Sequence, residues 1–194
     1  MVPDGYASGP GATTRATALA RAKLGGAAAV VLVEGISDQI AVEAAAAHLG
    51  RDLGAERIVV LPIGGAHAIR RVTAEFGGRV PLVGLCDLAE EAMFRNALAG
   101  AHPLQVCVAD LEDELLRAVG TEEAEALFAA QGDLGAFRSL QSQPAWRGRP
   151  VHAQLRRFLG SGASRKSRYA QLLVETTVGR DALPRPLEAL LTAV

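Results

Sequence analysis

The stretch Val30-Val-Leu-Val33, followed at once by Glu34-Gly35-Ile-Ser-Asp38, constrains this chain more than any other. Four successive apolar residues without polar alternation fit a strand covered on both faces, the kind found in parallel sheets. Similar runs recur at Ile58–Pro62, 80–86 and 104–108, with helix-length segments between them. Strands joined by helical crossovers predict an α/β fold: a parallel sheet of about four strands flanked by helices. Three of the four strands deliver acid at their carboxyl ends. Glu34 and Asp38 follow the first strand, Asp87, Glu90 and Glu91 the third, and Asp110, Glu112, Asp113 and Glu114 the fourth. The carboxyl ends of parallel strands share one rim, so these groups converge there. Converging carboxylates repel unless a cation sits among them, and hard oxygen ligands select Mg²⁺ or Mn²⁺, here as two ions.

Helix signals fill the remaining chain. Residues 1–10 read as a disordered lead, and Thr13 or Thr14 opens a helix that runs to Lys23 and stops at Gly25-Gly26. Ser37 is the expected N-cap of a helix through Leu49, and further helices are expected at Ala66–Phe76, 90–99 and 111–119. After Thr121 the pattern is helical throughout, broken at Gly132, Pro144, Pro150, Gly160-Gly162 and Pro184. The expected organisation is therefore a lead and helix over 1–27, an α/β domain over 28–120, and a helical extension over 121–194 packed on that domain.

Composition narrows the class. Hydrophobic residues make up 49% of the chain and aromatic ones only 4%, which predicts a core of Ala, Val and Leu. No apolar run approaches the roughly 20 residues that cross a bilayer, and no signal sequence opens the chain, so the expectation is a cytoplasmic protein without a membrane partner. Cys86 and Cys107 lack Cys-x-x-Cys or Cys/His spacing, which argues against zinc, and the four histidines show no ligand spacing either.

The net charge of -1 hides a segregation. From Leu134 to Val174 there is no Asp or Glu, whereas Arg138, Arg147, Arg149, Arg156, Arg157, Arg165, Lys166 and Arg168 all fall inside; the preceding stretch from Asp87 to Asp133 is strongly acidic. An acidic rim beside a basic segment suits a phosphodiester substrate, with Arg156, Arg157, Arg165 and Arg168 as candidate nucleic-acid contacts. The alternative is that the basic segment neutralises the acidic helices within the fold. Lys166 stands out because arginine fills nearly every cationic position and Lys23 is the only other lysine. A compact ammonium can approach one phosphate oxygen where a planar guanidinium cannot.

Each candidate has a competing role. Glu34 and Asp38 could serve the start of the following helix, Asp110 and Glu112 fit a helix-start pattern, and of Glu90 and Glu91 one is a ligand and one a surface charge, with Glu91 assigned the ligand role. Trp146 can stack on a base or simply pack against the sheet. Gly64-Gly65 reads as a turn, and the loop before Lys166 has Arg165 where a P-loop requires glycine, which rejects nucleoside-triphosphate binding.

Val33-Glu34-Gly35 with Ser37-Asp38, then Leu61-Pro62-Ile63-Gly64-Gly65, then Gly84-Leu85-Cys86-Asp87, and finally Asp110-Leu111-Glu112, resemble in order the motifs of a Toprim domain, closest to that of the OLD (overcoming lysogenization defect) nucleases. Lys166 in Ser164-Arg-Lys-Ser-Arg-Tyr-Ala170 is similar to the family's late lysine. The resemblance covers Ala28 to about Leu116. It implies a divalent-metal-dependent phosphodiester hydrolase acting on nucleic acid, with DNA as the expected substrate and Glu34 and Lys166 in catalytic roles. Glu34, Asp38, Asp87, Glu91, Asp110 and Glu112 would be metal ligands. The family also carries an ATPase domain ahead of the Toprim, so the expectation here is either a stand-alone version or a separate ATPase partner. The family's third strand ends in Asp-x-Asp, and Ala89 stands at the second position, which motivates the alternative of a catalytically weak nucleic-acid-binding or regulatory subunit. A third reading makes Tyr169 a covalent nucleophile.

Overall fold

The computed structural model describes residues 5–76, 78–100 and 102–194. Four strands, β1 (Ala29–Val33), β2 (Ile58–Pro62), β3 (Leu82–Asp87) and β4 (Leu104–Cys107), form one all-parallel sheet in the order β2-β1-β3-β4. Side chains alternate across a strand, and here they divide between two cores. Val31, Val33, Val60, Val83, Leu85 and Cys107 face one layer of helices, while Val30, Leu32, Val59, Leu61, Leu82 and Cys86 face the other. Both layers are apolar, which is why the strands carry no polar alternation.

The helices are α1 (Ala12–Lys23), α2 (Ile36–His48), α3 (Ile69–Phe76), α4 (Glu91–Leu98) and α5 (Leu111–Val119), then α6 (Thr121–Ala130), α7 (Leu134–Ser142), α8 (Val151–Leu159), α9 (Ala163–Val178) and α10 (Arg185–Thr192). Helices α3 and α4 cover one face through Ile69, Val72, Phe94 and Leu98. On the other face α2 and α5 are joined by α9 and α10, whose Leu173, Val174, Leu187, Leu190 and Leu191 enter the same core as Val31 and Leu85. A boundary at residue 120 therefore divides the chain but not the core. Gly84 lets α4 and β4 close over β3: a Cβ there would lie 2.8 Å from Leu104 Cδ1 and 3.1 Å from Leu98 Cδ1.

Local departures from expectation have local causes. Strand β3 starts at Leu82, because Pro81 has no N–H to pair with its neighbours. Ser37 is not the N-cap of α2: the helix opens at Ile36 with Gly35 extended before it, and Asp38 Oδ2 accepts the Gly35 N–H at 2.8 Å, satisfying the terminus from inside the first turn. The helices expected at 66 and 90 are each preceded by a 3₁₀ turn, Ala66–Ala68 and Leu88–Glu90. Residues 1–4 of the expected disordered lead lie outside the described residues, but the rest is held: the Tyr6 hydroxyl donates to Glu43 Oε2 at 2.5 Å, and Arg15 donates to the carbonyls of Ser8 and Pro10.

The aliphatic core expected from composition describes the sheet but not the helical half. There Phe128, Phe137, Phe158 and Tyr169 meet with ring centroids 4.8 to 5.4 Å apart, mostly edge to face. Half of the chain's few aromatic rings are spent tying α6, α7, α8 and α9 together.

Candidate metal centre and basic cleft

Glu34 leaves the end of β1 at the point where the sheet order changes direction, with β2 on one side and β3 on the other. Such switch points open a crevice at the carboxyl edge. Its backbone is pinned: the N–H groups of Gly64 and Gly65 donate to the Glu34 carbonyl at 3.0 and 3.1 Å. Both glycines have positive φ, 82° and 105°, so the turn after β2 needs them for geometry. The Asp87 N–H approaches Glu34 Oε1 at 3.4 Å, which aims the carboxylate toward the end of β3.

Asp87 ends β3, and the 3₁₀ turn that follows sets what joins it. With three residues per turn, positions i and i+3 superpose. Glu90 thus returns over Asp87, and Glu34, Asp87 and Glu90 each offer an oxygen within 4.8 Å of the others, the sole such group among the described residues. Glu91 begins α4 and turns away, accepting from Arg95 Nε at 2.7 Å. Of the two neighbouring acids, Glu90 is the one brought to Glu34 and Asp87, while Glu91, the expected ligand, is paired with Arg95. The expected Asp-x-Asp acid is missing at Ala89, but the 3₁₀ turn brings the next acid, Glu90, to Glu34 and Asp87.

A cleft of about 380 Å³ gathers Glu34, Asp38, Asp87, Glu112 and Lys166, with Thr13 and Thr14 of α1 at its margin. Asp38 serves the helix start and still lines this cleft. Glu112 is buried on α5, and Lys166 Nζ on α9 stands 3.1 Å from its Oε1. The end of β1 and α2, β3, α5 and α9 thus contribute charged groups to one cavity.

Asp87, Asp38 and Glu34 hold their protons unusually well. Burial, and then the charges of Glu34, Asp38 and Asp110, push Asp87 up to about 8. Burial and Glu112 push Asp38 up to about 7, against the pull of the Gly35 N–H. Burial also raises Glu34, with Glu90 adding to the effect and the Asp87 N–H opposing it. Lys166 behaves oppositely: burial works against its charge, but Glu112, with Asp38 and Asp110, more than offsets this and raises its pKa. Cys86 is pushed up to about 12 by burial and by Glu34 and Asp87, and Cys107 is raised further.

The remaining candidates sit beside this centre. Asp110 is the N-cap of α5, its Oδ1 accepting from the Asp113 N–H at 2.7 Å and its Oδ2 from Arg156 Nη2 at 2.5 Å. Both oxygens are engaged within the protein, and Asp110 lines a neighbouring cleft instead of the acidic one. The candidate arginines divide as well. Arg156 is bound to Asp110 and Asp113, and Arg165 and Arg168 both face Asp133, so these three have acidic partners within the fold. Arg157 is exposed and has no acidic partner among the described residues. Tyr169 is fully buried and donates to Asp133 Oδ2 at 2.9 Å, which removes it as a nucleophile.

Residues 27–88 match the family described as overcoming lysogenization defect protein-like, TOPRIM domain. No curated protein sequence matches the chain. Among solved structures, the C-terminal region of the Xanthomonas campestris pv. campestris OLD protein superposes with a TM-score of 0.63 at 22% identity, over 89% of this chain and 94% of that one. The C-terminal region of the Burkholderia pseudomallei OLD protein gives 0.60 at 19% identity, over 86% and 98%. At these identities the likeness is one of fold, and it runs well beyond the matched segment.

Proposed function

Because the chain carries an OLD-like Toprim domain over residues 27–88, we propose that it is a divalent-metal-dependent hydrolase of nucleic-acid phosphodiesters, with DNA as its substrate. The observation that carries this reading is the half-buried trio Glu34, Asp87 and Glu90, the first two lining a cleft whose single cation among the described residues is Lys166. Three carboxylates at that spacing cannot all ionise without a compensating charge, and an all-oxygen donor set suits Mg²⁺ or Mn²⁺. The trio would hold one such ion, with Asp38 and Glu112 available to a second, and bound ions there would polarise a phosphate oxygen and acidify a water.

The chain's own groups supply the rest. Asp38 lines the same cleft and, where it is not a ligand of a second ion, is placed to receive the proton that an attacking water gives up. Lys166 keeps its proton and so acts as a fixed cation, neutralising charge that develops on the phosphoryl group. Its pairing with Glu112 holds the ammonium at the cleft wall. A binding subunit without turnover was favoured by Ala89, and with Glu90 turned back over Asp87 that argument loses its force.

Supercoiled plasmid incubated with Mn²⁺ tests the reading. The expected result is nicked product with free ends, abolished by EDTA and reduced by about 10² or more in Asp87→Asn. Gel retardation without nicking would favour the binder, and a protein-linked end would restore a tyrosine mechanism.

A further inference from the structure

The acidic cleft does not end at Lys166. A second cleft of about 510 Å³ opens beyond the Lys166–Glu112 pair, shares both residues with the first, and is lined further by Asp110, Trp146, Arg149, Arg156 and Arg157. Its charges are of two kinds. Asp110 is paired with Arg156 and Glu112 with Lys166, so these four cancel locally. Arg149 and Arg157 are different. Elsewhere in the basic stretch Arg138 is tied to Glu125, Arg147 to the Ser142 carbonyl, and Arg165 and Arg168 to Asp133. Among the described residues, the guanidiniums of this stretch claimed by neither an acid nor a carbonyl are those of Arg149 and Arg157, and both face the cleft beside the acidic centre.

The cleft also has an aromatic wall. Trp146 is half-buried, with its carbonyl held by Gln154 Nε2 at 2.8 Å, and the Arg157 guanidinium stands 6.0 Å from its ring centroid. Indole and guanidinium are the planar groups on which unpaired bases stack. A neutral apolar ligand would not need two unpaired cations, and a bare phosphate would not need the indole. A nucleotide uses both.

We infer that this second cleft is the subsite for the nucleotide adjoining the scissile phosphate, its unpaired base stacked on Trp146 beside Arg157 and its phosphate taken by Arg149, an inference that rests on the hydrolytic reading of the neighbouring centre. A base inside a duplex presents only its edges to a side chain. The strand entering this cleft is therefore single or frayed at that position, and duplex ends and nicked or flapped DNA are cut in preference to closed duplex.

Trp146 is the sole tryptophan, so its emission reports on this cleft alone. The test titrates the protein, in EDTA so that nothing is cleaved, with a short single-stranded oligonucleotide and with an abasic strand of equal length, following binding by anisotropy of a label and stacking by Trp146 emission. The base-bearing strand should quench Trp146, while the abasic strand should bind more weakly and leave emission unchanged. Arg157→Ala should weaken the base-bearing strand about tenfold. Equal quenching by both strands, binding without quenching, or no binding at all overturns the inference. A protein that nicks plasmid in Mn²⁺ yet shows no quenching keeps its activity and loses the subsite. Quenching without nicking does the reverse.

Discussion

Glu90 and Glu91 are adjacent in sequence and opposite in placement, and the difference lies in one turn of backbone. A 3₁₀ turn places Glu90 over Asp87, and the following α-helical turn sends Glu91 to Arg95. Glu90→Gln should therefore weaken Mn²⁺ binding at least tenfold, whereas Glu91→Gln should leave it within twofold, as measured by calorimetry. The sequence made both acids visible but could not choose between them, because that choice depends on whether three or 3.6 residues complete the turn. Lys166 was legible for a different reason, as a lysine in a chain that otherwise uses arginine. If its ammonium serves the transition state, Lys166→Arg should retain nucleic-acid binding but slow single-turnover cleavage by about 10². An unchanged rate would reduce it to one more steering charge.

At the scale of elements, the strand-to-helix junctions were readable because apolar runs and their terminal acids are local signals. The basic segment was not, because its meaning depends on what the helices face once packed. Asp133 accepts the Tyr169 hydroxyl and draws Arg168 and Arg165, so it joins the loop between α6 and α7 to α9 beneath the aromatic cluster. Asp133→Ala should cost about 2 kcal/mol in urea unfolding, by leaving a buried hydroxyl and a partly buried guanidinium unpaired, with Mn²⁺ affinity unchanged. Arg157 and Arg168 should likewise separate. Removing Arg157 should flatten the dependence of log affinity on log salt by about one unit, and removing Arg168 should lower stability instead. A reduced salt slope in Arg168→Ala without loss of stability would return that residue to the nucleic-acid surface.

Across the whole molecule, the fold gathers carboxylates from β1, α2, β3 and α5 into one cleft and closes it with a lysine from α9, so the site is as non-local as the core that supports it. That arrangement has a cost without metal. Asp87 and Asp38 bind protons more tightly folded than unfolded, so their contribution to stability is full below the unfolded carboxylate range near 4 and is lost as pH rises through about 7 to 8. The metal-free protein should thus melt several degrees lower at pH 8 than at pH 5, a difference reduced in Asp87→Asn, since about 1 kcal/mol corresponds to roughly 2–4 °C for a chain of this size. Mn²⁺ should restore the loss at pH 8 and do little at pH 5, where protons occupy the same oxygens. The most direct measurement is calorimetric titration of Mn²⁺ at pH 8 into the wild type and into Glu34→Gln. The account predicts saturable binding in the wild type and none, at an equal or higher melting temperature, in the variant. Equal Mn²⁺ affinity in the two proteins would contradict it.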